Sequence, residues 1–276
     1  MGIMDGKKGI IFGVSNKFGI ANAIAEQIYN AGGELAFTYA NEAMEKRVRP
    51  IADSMNAKIC IECDVTKDED VKKVFEEYNK IYDRLDFVIH AVAFANKEDL
   101  TGDFYTTSRE GWDLAMHVSA YSLLTITKYA KPQMELTGGG SILALTYLGS
   151  TKAVANYNIM GVAKAALESS MRFIAMDLGK YNIRCNCLSA GPVKTMAAKG
   201  IGGFDRMLKA NALKAPLKRT PSLEDVGKAG LYLASDLSSG VTGEVHFVDC
   251  GAHSVFASAE EMEQLQQNAP QEALSV

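Results

Sequence analysis

The chain has 276 residues, 47% of them hydrophobic and 22% charged, and its net charge is −4. This length and composition suit a globular protein with one large α/β domain or two small ones. The slight acidic excess, without a long basic run, argues against nucleic acid or a membrane surface as a dedicated partner. Because no apolar stretch is long enough to span a bilayer and the N-terminal residues lack an export signal, we expect a cytoplasmic location.

Five cysteines are an odd number, which fits a reducing compartment. Cys60 and Cys63 form a C-x-x-C inside a strand-like run, where residues three apart point to opposite faces and do not converge on a metal. Cys185 and Cys187 share a face, but no second pair of ligands lies near them in the sequence. We interpret all five as small buried hydrophobic residues and predict no metal site.

Strand-like and helix-like segments alternate from the first residues onward. The apolar run KGIIFGV ends at Gly13 and is followed by a helical pattern that closes at Gly32 and Gly33. The next strands are predicted at ELAFTYA and KICIECDV, and a charged helix follows each, with Thr66 as the N-cap of the later helix. LDFVIHAVAFA is apolar nearly throughout, which is typical of a central parallel strand covered on both faces.

The alternation continues in the second half of the chain. A long helix over EGWDLAMHVSAYSLLTITKYAKPQM precedes a fifth strand at SILALTYL and a helix that includes Tyr157 and Lys164. IRCNCLSAG and EVHFVDCG are the last two strands, with a helix capped by Ser222 and Asp225 between them. Strict alternation requires parallel pairing and right-handed crossovers. We predict one doubly wound, Rossmann-type α/β domain with a seven-stranded parallel sheet over 1–258, and a mobile polar tail over 259–276.

The turn after the first strand, GVSNKFGI, has features of a phosphate-binding loop. Gly13 and Gly19 stand at its ends, where glycine allows a tight turn and close approach of the backbone to a pyrophosphate. The helix that opens at Ile20 supplies N–H donors and the positive end of its dipole. The spacing is not G-x-G-x-x-G, and paired glycines also serve simple turns. The position favours nucleotide binding, because ligands bind beyond the carboxyl ends of strands in this architecture.

Residues that follow other strands fit the same ligand. Asp64 ends the third strand, where its carboxylate is placed to accept a hydrogen bond from an adenine amine; capping the next helix is its alternative role. Val65 is predicted to flank the adenine ring. The small residues from Val92 to Ala95 allow a cofactor to lie close to the backbone after the fourth strand.

The choice between NADH and NADPH depends on the end of the second strand, TYANEAMEKR. An acidic residue there bonds a ribose 2′-hydroxyl, whereas a basic residue accepts a 2′-phosphate. Glu42 is near the tip, and Lys46 and Arg47 begin a basic face of the next helix. We favour NADH, with NADPH as the alternative.

Tyr157 and Lys164 lie seven residues apart, about two helical turns, so both side chains project from one helix face. The cation favours a developing phenolate, and a phenol can hydrogen-bond or protonate an oxygen of a reacting substrate. Such pairs also occur on solvated helix faces, so the pair alone does not define a site.

The runs TYLGSTKAVANYNIMGVAKAALE, LSAGPVKTMA and SSGVTGEVHFVD resemble the short-chain dehydrogenase/reductase superfamily and, more closely, the bacterial enoyl-[acyl-carrier-protein] reductases of type II fatty-acid synthesis. Carbonyl-reducing members place a catalytic serine thirteen residues before the tyrosine, where this chain has Ala144. Enoyl reductases instead have a second tyrosine ten residues before it, here Tyr147. The first helix opens with Gly19-Ile20 where the family commonly has Ser-Ile, which leaves that pyrophosphate contact to backbone donors.

The resemblance implies reduction of a trans-2-enoyl thioester by NADH, with hydride added to the β-carbon and charge collecting on the thioester oxygen. Tyr157 is the implied donor to that oxygen, and Lys164 the implied partner of the nicotinamide ribose. Tyr147 either delivers a proton or shapes the acyl pocket. Five consecutive residues are implied to contact the nicotinamide amide and the diphosphate: Val193, Lys194, Thr195, Met196 and Ala197.

The segment 194–214 resembles a substrate-binding lid. Ile201, Phe204 and Met207 form a short apolar stripe, which we interpret as a cover for the acyl chain rather than as core packing. Three further residues complete the predicted acyl pocket: Ala95, Met160 and Ala197.

Four basic residues cluster in or near the lid, in a chain that is acidic overall: Lys199, Arg206, Lys209 and Lys214. We predict that they dock the acidic acyl-carrier protein, with a solvated helix face as the alternative. The resemblance also implies a homotetramer.

Two other functions stay open. A carbonyl reductase of the same superfamily is disfavoured by Ala144. A non-catalytic dinucleotide sensor is disfavoured by the intact Tyr157 and Lys164.

Overall fold

The computed structural model of the chain describes residues 2–193, 204–257 and 262–263. Its strands are β1 (Lys8–Phe12), β2 (Glu34–Tyr39), β3 (Cys60–Glu62), β4 (Phe87–His90), β5 (Gly140–Thr146), β6 (Ile183–Ala190) and β7 (Val245–Val248). They form one parallel sheet in the order β3-β2-β1-β4-β5-β6-β7. The strand order reverses between β1 and β4, and this switch point is where open α/β sheets bind ligands.

Helices cover both faces of the sheet. They are α1 (Ile20–Asn30), α2 (Glu42–Ser54), α3 (Asp68–Ile81), α4 (Arg109–Met116), α5 (Ser122–Thr137), α6 (Asn158–Leu178), α7 (Phe204–Lys214) and α8 (Leu223–Ala234). One hydrophobic core lies between the sheet and α3, α5 and α6, and a second lies between the sheet and α1, α2 and α8. The predicted single doubly wound domain is therefore confirmed. The predicted tail over 259–276 lies outside the described residues except for 262–263.

Several local predictions differ from the structure. The fourth strand ends at His90, because beyond it the Phe94 backbone exchanges hydrogen bonds with Ser119 Oγ instead of a neighbouring strand. The N-cap of α3 is Lys67 rather than Thr66, whose hydroxyl donates to Asp64.

Other features agree with the sequence patterns or refine them. A capping box between Ser222 and Asp225 opens α8, as predicted. The long helix predicted before β5 is α4 and α5 joined by a wider π turn over His117–Tyr121. In the described ranges, no helix is both long and apolar enough to cross a membrane.

The prediction that every cysteine is buried is wrong for two of them. Cys63, Cys185 and Cys187 are buried, whereas Cys60 and Cys250 are partly exposed. Cys60 lies on β3, the outer strand of the sheet, and Cys250 lies in a turn after β7 with a φ of +61°. Both positions have fewer neighbours than a central strand provides.

Candidate active site

A cleft of about 380 Å³ opens at the carboxyl ends of β1, β4, β5 and β6. Its walls are the loops that follow these strands and the amino-terminal ends of α1 and α6. The cleft therefore lies at the switch point of the sheet, where the fold class predicts a ligand.

The β1–α1 turn presents bare backbone to this cleft. Gly13 has a φ of +94°, and a Cβ there would lie 2.3 Å from the Ala91 carbonyl oxygen, so no other residue fits without a shift. Gly19 is the N-cap of α1, with no side-chain cap, and no acidic residue lies in the first turn. The N–H donors of that turn thus stay available for an anion, and these residues fit the pyrophosphate of a dinucleotide.

Tyr157 is the N-cap of α6 rather than part of the helix, which begins at Asn158, and its φ and ψ angles are −115° and −23°. Its ring meets Tyr147 edge-on, with centroids 5.0 Å apart and planes at 69°. A Cβ at Gly149 would lie 2.6 Å from the Tyr157 ring, so the glycine makes room for it. The two tyrosines and Lys164 line the same cleft, as the sequence predicts.

Lys164 is buried, and its Nζ donates a 2.7 Å hydrogen bond to the Leu145 carbonyl oxygen at the end of β5. Burial lowers the pKa of Lys164 to about 8. Burial, followed by the neighbouring Tyr147, raises the pKa of Tyr157. The site thus holds a neutral phenol that can donate a hydrogen bond, and desolvation outweighs any stabilisation of a phenolate by Lys164.

Ala144 is fully buried in β5, beside His90 on β4 and Cys187 on β6. This position therefore offers no hydroxyl to a substrate carbonyl. Tyr147 and Tyr157 both line the described part of the cleft. Their hydroxyl groups are the ones that the sequence predicts to lie next to the reacting atoms.

Several predicted contact residues do line the cleft: Gly13, Gly19, Ile20, Tyr147, Tyr157, Lys164 and Met207. Others do not. Met160 is buried, and its sulfur lies 3.7 Å from Ser119 Oγ, so it packs beneath the site rather than facing it. Val193 is buried against the core of α1, α2 and α8, and Val92 packs against the opposite core. Ala95 is half-buried and lies outside the cleft lining.

Asp64 and Val65 lie after β3, away from the cleft lining. The Asp64 carboxylate accepts hydrogen bonds from the Thr66 N–H and hydroxyl at 3.0 and 2.7 Å and lies 3.4 Å from Lys67 Nζ. Val65 is buried in the core beside α3. In this structure Asp64 stabilises the turn into α3 but is not its N-cap, which is Lys67, and the contact of Asp64 with adenine stays a prediction.

Part of the predicted lid lies outside the described residues, namely Lys194, Thr195, Met196, Ala197, Lys199 and Ile201. Phe204 is the first residue of α7, and its side chain is also outside the described part. Met207 extends from α7 into the cleft, and its role as a cover for the acyl chain stays a prediction.

Sequence patterns missed further lining residues: Ser15, Asn16, Leu145, Thr146, Asn156, Gly191 and Pro192. Ser15 and Asn16 lie within the glycine-flanked turn, so their position was itself a usable signal. Thr146 had no such signal, because its exposure to the cleft depends on where β5 ends relative to α6.

A parallel sheet with a glycine turn, a paired tyrosine and a buried lysine at its switch point defines an oxidoreductase of the short-chain dehydrogenase/reductase type. The family model described as "Enoyl-(Acyl carrier protein) reductase" matches residues 13–253. The chain belongs to the enoyl-[acyl-carrier-protein] reductase family.

Individual relatives agree. The chain is 49% identical to the enoyl-[acyl-carrier-protein] reductase [NADH] 1 of Rhizobium meliloti (strain 1021), across 92% of this chain and 93% of that protein. It is 46% identical to the corresponding NADH enzyme of Bacillus cereus, across 92% and 99%. A solved structure of the Anaplasma phagocytophilum reductase in complex with NAD superimposes with a TM-score of 0.89 at 46% identity, across 93% of this chain and 97% of that one.

Proposed function

We propose that this enzyme reduces the trans-2 double bond of enoyl thioesters carried by acyl-carrier protein, with NADH as reductant, in type II fatty-acid synthesis. The edge-on pair of Tyr147 and Tyr157 beside the buried Lys164 carries the proposal, together with Ala144 in place of a serine. The NADH-dependent relatives and the NAD complex of a structural neighbour support the choice of cofactor.

The residues of the site have two roles, to bind the cofactor and to polarise the thioester. NADH supplies a hydride when bound, and Gly13, the first turn of α1 and Lys164 are the residues that would hold it. Negative charge that develops on the thioester oxygen is stabilised by the Tyr157 hydroxyl, which burial keeps protonated. Lys164 keeps the field beneath the cleft positive, and the low polarity of its surroundings strengthens that effect.

An assay with matched thioesters tests this proposal. We expect NADH oxidation with a crotonyl or dodecenoyl thioester and little with an acetoacetyl thioester of the same carrier. Turnover of the ketone alone would instead indicate the carbonyl reductase. Binding of NADH without turnover of either would indicate the non-catalytic sensor.

We propose that α7 docks the acyl-carrier protein. Arg206 and Lys209 are exposed on this helix, on either side of Met207, which reaches into the cleft. Lys214 is half-buried at its C-terminal end. A basic surface at the mouth of an acyl pocket is complementary to an acidic carrier.

Reversing the charges of Arg206 and Lys209 to Glu should raise the KM for carrier-linked substrate by about tenfold and leave the KM for a coenzyme A analogue unchanged. Steady-state kinetics with both substrates measure the difference. Lys73→Glu, an exposed lysine on α3, is the matched control. Equal effects of the double variant on both substrates would contradict carrier docking.

We infer a cytoplasmic homotetramer. Phe173 and Met176 on α6 are 64% and 70% exposed, and Trp112 on α4 is 40% exposed, so these helices present apolar area that a second copy can cover. Five cysteines without a disulfide are compatible with a reducing compartment. Sedimentation velocity tests the assembly, and a monomeric wild-type protein would contradict it.

A further inference from the structure

Glu168 is a buried carboxylate that the mechanism above does not use. It lies on α6 one turn after Lys164, its side chain is 5% exposed, and it accepts a 2.6 Å hydrogen bond from Thr146 Oγ1. We propose that Glu168 is a positioning residue, which keeps Lys164 cationic and holds the end of β5 in place directly before Tyr147. The inference rests on the proposed function, because NADH is the ligand that Lys164 would hold.

Two contacts fasten α6 to consecutive residues of β5. Lys164 Nζ donates to the Leu145 carbonyl oxygen at 2.7 Å, and Glu168 accepts from the Thr146 hydroxyl at 2.6 Å. Tyr147 is the next residue in the chain, and its ring packs against Tyr157. The same helix face therefore sets the position of both tyrosines relative to the cleft.

The groups that face Lys164 from other elements are neutral. Burial lowers the pKa of His90 on β4 to about 3, so its ring carries no charge at neutral pH. Burial raises the pKa of Cys187 on β6 to about 12, so it is a thiol. Tyr157 is a neutral phenol, since burial raises its pKa.

Three further charged residues lie on α6 itself, and two of them, Arg172 and Asp177, are exposed. Arg172 carries a positive charge, and Asp177 lies more than three helical turns from Lys164. Cys187 and then Glu168 act to raise the pKa of Lys164, but burial keeps Cys187 a neutral thiol, so among the described residues Glu168 is the anion that can offset a cation buried at this point. A buried lysine without such a partner loses its proton more easily.

Three variants separate the charge of Glu168 from its hydrogen bond. Glu168→Gln keeps the shape and can still accept from Thr146, but it removes the charge. Thr146→Val removes the donor and keeps the charge. Thr146→Ser keeps both and is the matched control.

The readout is the Kd for NADH, measured by fluorescence without substrate between pH 6.5 and 9.5. We expect wild-type binding to weaken as Lys164 loses its proton, and we expect the midpoint to fall by about half to one pH unit in Glu168→Gln. The midpoint falls because removal of a nearby anion makes the Lys164 cation easier to deprotonate. Thr146→Ser should keep the wild-type midpoint, and Thr146→Val should move it less than Glu168→Gln does, because the carboxylate stays beside Lys164 although it loses a donor.

An unmoved midpoint in a folded Glu168→Gln protein would overturn the inference, and so would an equal shift in Thr146→Val. If Glu168→Gln does not fold, Glu168→Asp moves the carboxylate back by one methylene and should give a smaller shift in the same direction; no shift there would also overturn it. Failure of the wild type to bind NADH at any pH would instead refute the proposed function.

Discussion

Tyr157→Phe should lower kcat by about 100-fold or more, while the KM for NADH changes less than about threefold. The variant removes the hydroxyl that we propose as the donor to the thioester oxygen, and it leaves the ring contact with Tyr147 in place. The missing bond matters mainly when the oxygen becomes negative, so the loss falls on kcat rather than on substrate binding. Steady-state kinetics with an enoyl thioester measure the loss of kcat, and the melting temperature shows whether the variant is folded.

Tyr147→Phe is the matched control for this experiment. A small effect on kcat would assign Tyr147 to the shape of the pocket, whereas a large effect with a changed solvent isotope effect would assign it to proton delivery. An unchanged kcat in Tyr157→Phe would move the role of oxyanion donor to another group in the cleft.

Lys164→Met should raise the Kd for NADH by about 30-fold or more and reduce kcat with it. Methionine matches the length of the lysine stem but carries no charge and no donor, so the proposed contact with the cofactor ribose and the positive charge are both lost. Because burial lowers the pKa of Lys164 to about 8, wild-type affinity should decline above pH 8, whereas the affinity of the variant should not depend on pH in that range. Fluorescence titration of NADH at several pH values measures both effects.

The stability of Lys164→Met shows whether its loss of NADH binding is caused by unfolding. The pKa of Lys164 is lower in the folded protein than in the unfolded chain, so burial of the cation costs stability below pH 8, and this cost disappears as pH rises towards 10.5. Lys164→Met removes this cost, but it also leaves the Leu145 carbonyl oxygen without its donor and Glu168 without its neighbouring cation, so the melting temperature of the variant at pH 7 has to be measured beside its NADH affinity. A protein that loses NADH binding only because it unfolds would contradict a direct role for Lys164.

The order and type of the strands and of most helices could be predicted because they depend on local signals. An apolar run such as KGIIFGV forms a strand wherever both its faces are covered, and Ser222 with Asp225 opens a helix through contacts three residues apart. Alternation of the two element types then permits little except a parallel, doubly wound sheet. Tyr147, Tyr157 and Lys164 could also be identified from the sequence, because Tyr147 directly follows β5, Tyr157 directly precedes α6, and Lys164 lies in the first half of that helix.

The details that set the chemistry depend on contacts between distant parts of the chain. Met160 was predicted one turn from Tyr157 in the same pocket, but packing against Ser119 places it below the site. Helical spacing alone does not say which side of α6 the sheet covers.

The amino-acid order was thus sufficient for the fold class and for predicting that the glycine turn, the two tyrosines and the lysine lie together at one cleft. The protonation states of the site residues could not be predicted from the sequence, because a pKa depends on desolvation and on charges that only folding brings together. The neutral phenol of Tyr157, the lowered pKa of Lys164 and the carboxylate of Glu168 behind it all arise where α6 packs on the end of β5. That contact joins residues about twenty positions apart, so no local pattern encodes it.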